Sequence, residues 1–318
     1  MPQLEIYKKP KKIVPINIII IIIFSIILLL AAVLWFIGNY FYNNFIKSVP
    51  YNTRIAGNAP SVPGVDNGQV TELEMTSRDG LKLIAYEVVN ETASHNWVIV
   101  VHGYKSSAKQ MESYINNFYK LGFNVLAPDL RGHGLSEGDY IGMGVSDRLD
   151  VLDWAKEIID KDEKSNICLY GLSMGAATVM MVSGEDVPLN IKCIVEDCGY
   201  ASVYSEFSYR LKEQFKLPDF PVLNAADMIT KIKAGYTFEE GSPFLSVGRS
   251  KTPILFIHGD KDDYVPFSDL QILYDYASCE KDIFIVEGAG HAQSEEVAGA
   301  LYWDKIKTFI QNYEAVAK

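Results

Sequence analysis

Gly171-Leu172-Ser173-Met174-Gly175 sets a serine between two glycines, after the apolar run Asn166-Ile167-Cys168-Leu169-Tyr170 and before the small, apolar stretch from Met174 to Ser183. A strand that turns at once into a helix in this way makes a nucleophile elbow. Only small residues fit beside the serine, and its hydroxyl stands clear of the backbone. The first helical amides and the positive end of the helix dipole point at the same spot. The chemistry on offer is acyl transfer through a covalent serine intermediate. A serine hydroxyl is a poor nucleophile at neutral pH and needs an adjacent base. Among five histidines, His291 in Gly288-Ala289-Gly290-His291 is the candidate, because it follows the strand-like run Asp282 to Glu287. A carboxylate behind the imidazole would fix its tautomer. The acidic turn after Pro253-Ile254-Leu255-Phe256-Ile257-His258-Gly259 offers Asp260, Asp262 and Asp263, and residue types alone leave the choice among them open.

The other histidines read differently. His102, His133 and His258 lie in glycine-flanked turns and are expected to brace loops, while His95 sits in a polar stretch exposed to solvent. Asp129 and Arg131 are expected to form a local salt bridge, and Glu196-Asp197 to close a strand by hydrogen bonding. The run Trp97-Val98-Ile99-Val100-Val101 ends in His102-Gly103-Tyr104. The backbone N–H groups of Tyr104 and of Met174, the residue after the serine, are therefore the expected oxyanion donors. Removing one such donor typically costs roughly 2.7–4 kcal/mol of transition-state stabilisation.

The elements that must position these groups follow from apolar periodicity. Val70 to Ser77 and Leu81 to Val89 flank Arg78-Asp79-Gly80 and predict a β-hairpin. Further strands are expected near Val98, Val125, Ile167, Ile194, Leu255 and Phe284, alternating with helices over Lys109–Leu121, Ser146–Asp160, Met174–Ser183, Ser268–Ala277 and Glu295–Ala315. Mostly apolar strands separated by helices predict an α/β fold: a mostly parallel sheet of about eight strands with helices on both faces. Serine, acid and histidine each lie just past the C-terminal end of a predicted strand. In a parallel sheet those ends share one edge, so the three side chains can meet.

Four segments together carry a family resemblance: Val101-His102-Gly103-Tyr104; Pro128-Asp129-Leu130-Arg131-Gly132-His133-Gly134-Leu135-Ser136; the elbow; and His258-Gly259-x-x-Asp262-x-x-Val265-Pro266 with Gly290-His291. With these, and with the order serine, acid, histidine, the chain resembles α/β-hydrolase superfamily serine hydrolases, in the branch of monoacylglycerol-lipase-like esterases and serine aminopeptidase-like (proline-iminopeptidase) enzymes. It also resembles bacterial membrane-anchored hydrolases, including at Gly235-Tyr236-Thr237-Phe238 before Ser242-Pro243. The resemblance spans about Gln69 to Lys318. It implies that Asp262 is the acid of the triad.

A second feature lies at the N-terminus. Ile18 to Ile37 is a nearly unbroken apolar run with Ser25 as its polar exception, long enough to cross a hydrocarbon core of about 30 Å. Lys8, Lys9, Lys11 and Lys12 precede it, Trp35 and Phe36 stand at its end, and Tyr40, Phe41 and Tyr42 follow. This flanking predicts a cytoplasmic N-terminus with the remainder across the membrane. A cleavable signal peptide would have a shorter apolar region ending in small residues, so the reading is an uncleaved signal-anchor. The expected organisation is a cytoplasmic tail at 1–12, a transmembrane segment at 13–38, a linker at 39–68 and the hydrolase domain at 69–318. A long interval, 199–251, interrupts the alternation and is expected to form a small helical cap. Its Tyr200, Tyr204 and Phe207, with Tyr104, are candidates to line an acyl pocket.

A net charge of −11 argues against a nucleic-acid surface. Cys168, Cys193, Cys198 and Cys279 lack metal-ligand spacing and read as buried thiols, and no cofactor motif is present. The expected partners are a small-molecule ester and, through the N-terminal helix, the lipid bilayer. The expected function is cleavage of carboxylic esters outside the cytoplasm. Two alternatives stay open: a proline-iminopeptidase-like aminopeptidase, for which Glu206, Glu213, Glu239 or Glu240 would supply an anionic pocket, and a non-catalytic surface protein on the same scaffold.

Overall fold

The computed structural model describes residues 15–57, 69–92 and 94–314. The predicted cytoplasmic tail with its lysines, the first residues of the predicted span, the stretch 58–68 of the predicted linker and Ala315 lie outside the described residues.

The chain enters on α1 (Ile16–Phe41), continued by a π-helical turn at Tyr42–Ile46 and, after a break, by α2 (Tyr51–Gly57). The hairpin β1 (Val70–Thr76) and β2 (Lys82–Val88) follows, then β3 (Asn96–Val101), α3 (Glu112–Lys120), β4 (Asn124–Pro128), α4 (Asp147–Lys161), β5 (Asn166–Leu172), α5 (Met174–Val182) and β6 (Ile191–Asp197). Between β6 and the next core strand lie α6 (Val203–Arg210), α7 (Asp219–Ala234) and α8 (Pro243–Val247). The chain closes with β7 (Ile254–Gly259), α9 (Ser268–Tyr276), β8 (Lys281–Val286), α10 (Ser294–Ala298) and α11 (Ala300–Glu314).

All eight strands form one sheet in the order β1-β2-β4-β3-β5-β6-β7-β8. The first two pairings, β1 with β2 and β2 with β4, are antiparallel, and the remaining five are parallel. The central strands bury both faces, as continuous apolar runs such as Trp97 to Val101 require. Alternation then sorts their side chains into two cores. Ile99, Val101, Leu169 and Ile194 face one side with Trp154 of α4, Val179 of α5 and Leu273 of α9. Val98, Val100, Tyr170 and Val195 face the other with Phe118 of α3 and Tyr302 and Ile306 of α11. Doubly covered parallel strands turn their C-terminal ends to one edge, and there the loops that carry the candidate chemistry converge.

The cap between β6 and β7 is helical. Ser202 starts α6 with a capping box to Ser205, and Ser242 caps α8, where Pro243 takes the first helical position without loss of a hydrogen bond. Pro218 and Pro221 stand at the entry to α7, where proline is tolerated, and the helix runs on from there to Ala234.

Among the described residues one helix is long and apolar enough to cross a membrane: Ile16–Ile46. The 26 residues of α1 rise about 39 Å. Its side chains from Ile16 to Phe36 are largely exposed, but Gly38, Phe41, Tyr42 and Ile46 are buried against the cap. Gly38 is required by this contact: a Cβ there would come 2.4 Å from the Ala225 carbonyl oxygen and 2.6 Å from Ile229 Cγ1, both on α7. Residues 39–46, read from sequence as the start of a linker, are thus helical and packed, because their aromatics find apolar partners on the cap. Beyond them Arg54 donates to the carbonyls of Gly132 and Ser136 at 2.6 and 2.5 Å, which straps the following segment across the β4 loop.

Candidate active site

Ser173 stands at the turn from β5 to α5 with φ 57° and ψ −117°, a conformation that strains a residue bearing a side chain by about 1–3 kcal/mol. The surroundings force it. A Cβ on Gly171 would lie 2.3 Å from the Gly175 carbonyl oxygen, and one on Gly175 would lie 2.1 Å from that of Val101. The Ser173 N–H donates to the Asp197 carbonyl at 2.8 Å, and the Ser173 carbonyl accepts from Ala177 N–H at 3.0 Å, the first bond of α5. Every residue of α5 is buried.

His291 arrives on the loop after β8. Its Nε2 lies 2.9 Å from Ser173 Oγ, and its Nδ1 lies 2.8 Å from Asp262 Oδ2. Asp262 follows β7 with a side chain at 0% exposure. Its Oδ1 accepts from the Tyr264 and Val265 amides at 2.9 Å each, and its Oδ2 also lies 3.2 Å from His258 Nε2. Burial alone would raise this carboxyl. The hydrogen bonds from His258 and His291, the His291 charge and the Tyr264 amide outweigh burial and hold it well below the usual carboxylate range. A carboxylate that stays ionised fixes Nδ1–H as the donor and leaves Nε2 free to accept the serine proton. Asp260 instead binds Lys261 Nζ at 3.0 Å and the Gly288 amide at 2.6 Å, and Asp263 is exposed.

The loop after β3 closes over the serine. An ideal Cβ on Gly103 falls 3.9 Å from Ser173 Oγ, so the loop that continues into Tyr104 runs beside the nucleophile, and Met174 opens α5 directly after it. Among the described residues neither the Tyr104 nor the Met174 amide has a backbone acceptor, which leaves both available to a developing oxyanion. His102 holds this loop. Its Nε2 accepts from the Leu130 amide at 3.0 Å while Nδ1–H donates to the Gly103 carbonyl at 2.8 Å. His133 Nε2 accepts from Lys105 N–H at 3.2 Å. Arg131, buried, binds Asp150 at 2.7 and 2.8 Å and Asp79 at 2.8 and 3.1 Å rather than Asp129, the partner expected from sequence. The Asp129 carboxylate instead accepts from the Ala108 and Leu135 amides at 2.9 and 2.8 Å.

A cavity of about 220 Å³ opens at the serine. Tyr104, Tyr200 and Phe207, singled out from sequence, line it with Met143, Phe215 and Val265. Tyr204 does not: it is 42% exposed and faces solvent. Val203, Phe207 and Leu211, four residues apart, take the buried stripe of that helix, and Tyr204 is turned about 100° away from Val203.

Phe41, Phe45, Arg210 and Tyr264 also line the cavity without having been singled out from the sequence as pocket residues, and so does Glu206, which was. Phe41 and Phe45, from the end of the N-terminal helix, form one wall. Arg210 lies 3.8 Å above the ring of Tyr264, which stacks on His291 at 4.8 Å between centroids. Glu206 is 4% exposed, and its Oε2 is buried without a hydrogen-bond partner. Burial, with help from Asp269 and Asp262 and against Arg210, pushes its carboxyl up to about 8. Glu213, Glu239 and Glu240 stay exposed, with Glu213 paired to Lys216 and Glu240 to Lys231.

Among the described residues one grouping brings metal-ligating atoms together: those of Cys198, Asp262 and His291 lie within 4.8 Å of one another. The donor set does not suit a metal. Burial pushes the Cys198 thiol well above its ordinary value, whereas metals bind the thiolate, and both His291 nitrogens already face protein partners.

Residues 92–196 match the family model described as serine aminopeptidase, S33. The uncharacterized protein YqkD of Bacillus subtilis is 31% identical over 218 residues, spanning 68% of this chain and 72% of that one. An uncharacterized membrane protein of Saccharomyces cerevisiae is 24% identical over 241 residues, 75% of this chain and 78% of its own. Among solved structures, the esterase Pf2001 of Pyrococcus furiosus superposes with a TM-score of 0.65 at 26% identity, covering 81% of this chain and all of that one.

Proposed function

The chain belongs to the α/β-hydrolase superfamily, and from that premise we propose that it is a membrane-anchored serine hydrolase that cleaves carboxylic esters outside the cytoplasm. One observation carries the reading: the unbroken relay from Ser173 Oγ to His291 at 2.9 Å and from His291 to the buried Asp262 at 2.8 Å. Ser173 Oγ attacks the acyl carbon and His291 Nε2 takes its proton. The carbonyl oxygen becomes an oxyanion between the Tyr104 and Met174 amides. The bond to the leaving alkoxide breaks, and His291 returns the proton to it. Water then attacks the acyl-enzyme as His291 accepts one of its protons. The bond between the acyl carbon and Ser173 Oγ breaks, His291 returns the proton to Ser173 Oγ, and the free acid is released. The apolar lining and small volume of the cavity favour an unbranched acyl group over a bulky one.

The division into a tail at 1–12, an anchor at 13–38 and a catalytic domain from 69 with its cap at 199–251 belongs to the same proposal. It is supported by the lysines before the apolar run, the aromatics after it, and the exposed apolar surface of α1. Ser173→Ala in the full-length protein is expected to bring p-nitrophenyl ester turnover down by about 10⁶-fold, to background. Undiminished turnover rejects the assignment.

Glu206 favours a second reading, in which the substrate is an amide with a free amino terminus. Its unpartnered carboxyl oxygen in the cavity is placed to receive an ammonium, whose charge would favour the ionised form of a group that burial otherwise keeps neutral. Release of amino acids from aminoacyl-naphthylamides, with little activity on esters and a raised KM in Glu206→Gln, would establish it.

A further inference from the structure

The apolar run of the N-terminal helix ends at Ile37, and the helix does not break there. Phe41 lies four residues on and Phe45 eight, about 6 and 12 Å further along the axis. The headgroup layer beyond each face of the hydrocarbon core is about 5–8 Å deep. Phe41 therefore stands at headgroup depth, and it is also a wall of the cavity that holds Ser173.

The contacts there are those of a core. The Phe41 ring meets Phe207 edge-on at 5.0 Å between centroids, lies 6.0 Å from Phe238, and touches Phe45 at 4.8 Å, which in turn meets Phe215 at 6.3 Å. The oxyanion loop is tied to the same helix end. Tyr104 Oη donates to the Phe45 carbonyl at 2.8 Å, and Lys105 Nζ to the Asn44 carbonyl at 3.1 Å.

A second observation is independent of the cavity. On α7, which packs on α1 through Ala225 and Ile229, the side chains of Phe220, Met228 and Ile232 are exposed at 76%, 47% and 61%. An exposed apolar patch of this kind on a soluble surface calls for a cover. Here it flanks the point where the membrane helix meets the domain, so continuity with that helix assigns the cover to the bilayer.

We infer that Phe41 and Phe45, at the end of the membrane helix, form a wall of the acyl pocket, and that the enzyme draws its substrate, an ester with a bilayer-resident acyl chain, from the membrane that holds it. The inference rests on the ester reading above. The scissile carbonyl of such an ester sits at the boundary of hydrocarbon and headgroups, the depth at which the cavity begins. Two steps are thereby avoided: extraction of the chain into water and its return to an apolar pocket. For an ester supplied from water, each methylene that finds the pocket is expected to raise kcat/KM about fourfold, the equivalent of ~0.8 kcal/mol, until the cavity is full; a chain supplied from the bilayer is already out of water and gains no such increment.

The test uses the full-length protein reconstituted in phosphatidylcholine vesicles. 4-Methylumbelliferyl palmitate is placed either in the same vesicles as the protein or in separate protein-free vesicles at equal bulk concentration, with p-nitrophenyl butyrate as a soluble reporter. Palmitate in the shared bilayer is expected to turn over at least tenfold faster than palmitate in separate vesicles; equal rates overturn the inference. Phe45→Ala is expected to move the preferred acyl length upward and Phe45→Trp downward, with fluorophosphonate labelling of Ser173 reporting that each variant is folded. An unchanged length profile in both labelled variants overturns the wall. If a variant fails to label, the comparison of shared with separate vesicles in the unsubstituted protein still decides. Loss of turnover on all three ester presentations overturns the ester reading itself, whereas soluble turnover with equal vesicle rates overturns this inference alone.

Discussion

Replacing Glu206 by glutamine keeps the shape of the side chain and removes its capacity to ionise. The carboxyl is 4% exposed, one oxygen has no partner, and its pKa is pushed up from 4.5 to about 8. Below pH 4.5 the group is protonated in folded and unfolded chains alike, and its contribution to stability is fully present. As pH rises from 4.5 toward 8 the unfolded chain sheds the proton while the folded chain keeps it, so stability falls across that window and levels off above it. The full difference corresponds to about 5 kcal/mol at 1.36 kcal/mol per pH unit. Water drawn into the cavity would relieve part of it, which gives a working range of about 2–5 kcal/mol. For a domain of this size that is about 2–4 °C of Tm per kcal/mol. Thermal unfolding of the detergent-solubilised full-length protein should show Glu206→Gln matching the unsubstituted protein near pH 4.5 and melting about 4–20 °C above it at pH 9. Parallel Tm curves from pH 4.5 to 9 would refute the claim that a neutral carboxyl is buried at the pocket wall. The sign matters as well: a Glu206 held ionised by a partner would make the variant less stable at high pH.

Asp262→Asn is expected to cut kcat about 10⁴-fold by permitting the wrong imidazole tautomer, while Asp260→Asn and Asp263→Asn change it less than tenfold; ester kinetics on the three purified variants decide, and a costly neighbour would displace Asp262 from the relay. Arg131→Met removes the guanidinium from between Asp150 and Asp79 and leaves the Asp150 carboxylate buried and uncompensated, at a cost of about 3–5 kcal/mol; urea unfolding that shifts by less than 1 kcal/mol would show the pair to be dispensable. Gly175→Ala drives a methyl to 2.1 Å from the Val101 carbonyl oxygen, so the strand and helix must part. The expected outcome is at least about 1–3 kcal/mol of destabilisation together with lost fluorophosphonate labelling, and a variant that labels normally would mean that the elbow is slacker than its contacts indicate.

What could be read in the sequence was what depends on a short repeat or on a single backbone constraint. Arg78-Asp79-Gly80 between two alternating runs predicts a hairpin, and β1 pairs with β2 across it. Continuous apolar runs predict doubly buried parallel strands, and β3, β5, β6 and β7 are such strands. The cap was less legible. Tyr200, Tyr204 and Phe207 all read as candidates for a pocket, because composition does not say which face of a helix meets it. The spacing Val203, Phe207, Leu211 does hold that information, and it turns Tyr204 outward. The contribution of Phe41 and Phe45 had no local signal at all. Aromatics after an apolar span serve equally as an interfacial belt, and only the position of Gly38 against Ala225 brings this helix end into the cavity. The acid posed a different problem, since three aspartates crowd one turn and residue type does not say which of them meets His291.

The strain at Ser173 asks what keeps the turn in place, and one buried residue answers for both halves of the relay. The Asp197 backbone carbonyl accepts the Ser173 amide, while its side chain accepts Ser294 Oγ at 2.9 Å and Tyr302 Oη at 2.8 Å, both just downstream of His291. Burial raises the Asp197 carboxyl to about 6 even with these donors and the neighbouring histidines opposing it. Tyr302 is held in turn by Tyr170 at 2.7 Å, on the strand that carries the serine. The separation of the serine from the histidine is therefore set by the rim of the sheet rather than by mobile loops, which is the condition for holding a relay within about 0.5 Å of its working geometry. The cap and the end of α1 are then free to vary the pocket without disturbing the chemistry. That division explains why a helix which reads as a mere tether can lie within reach of a substrate: it touches the wall of the cavity and the oxyanion loop, but none of the bonds that fix Ser173, His291 and Asp262.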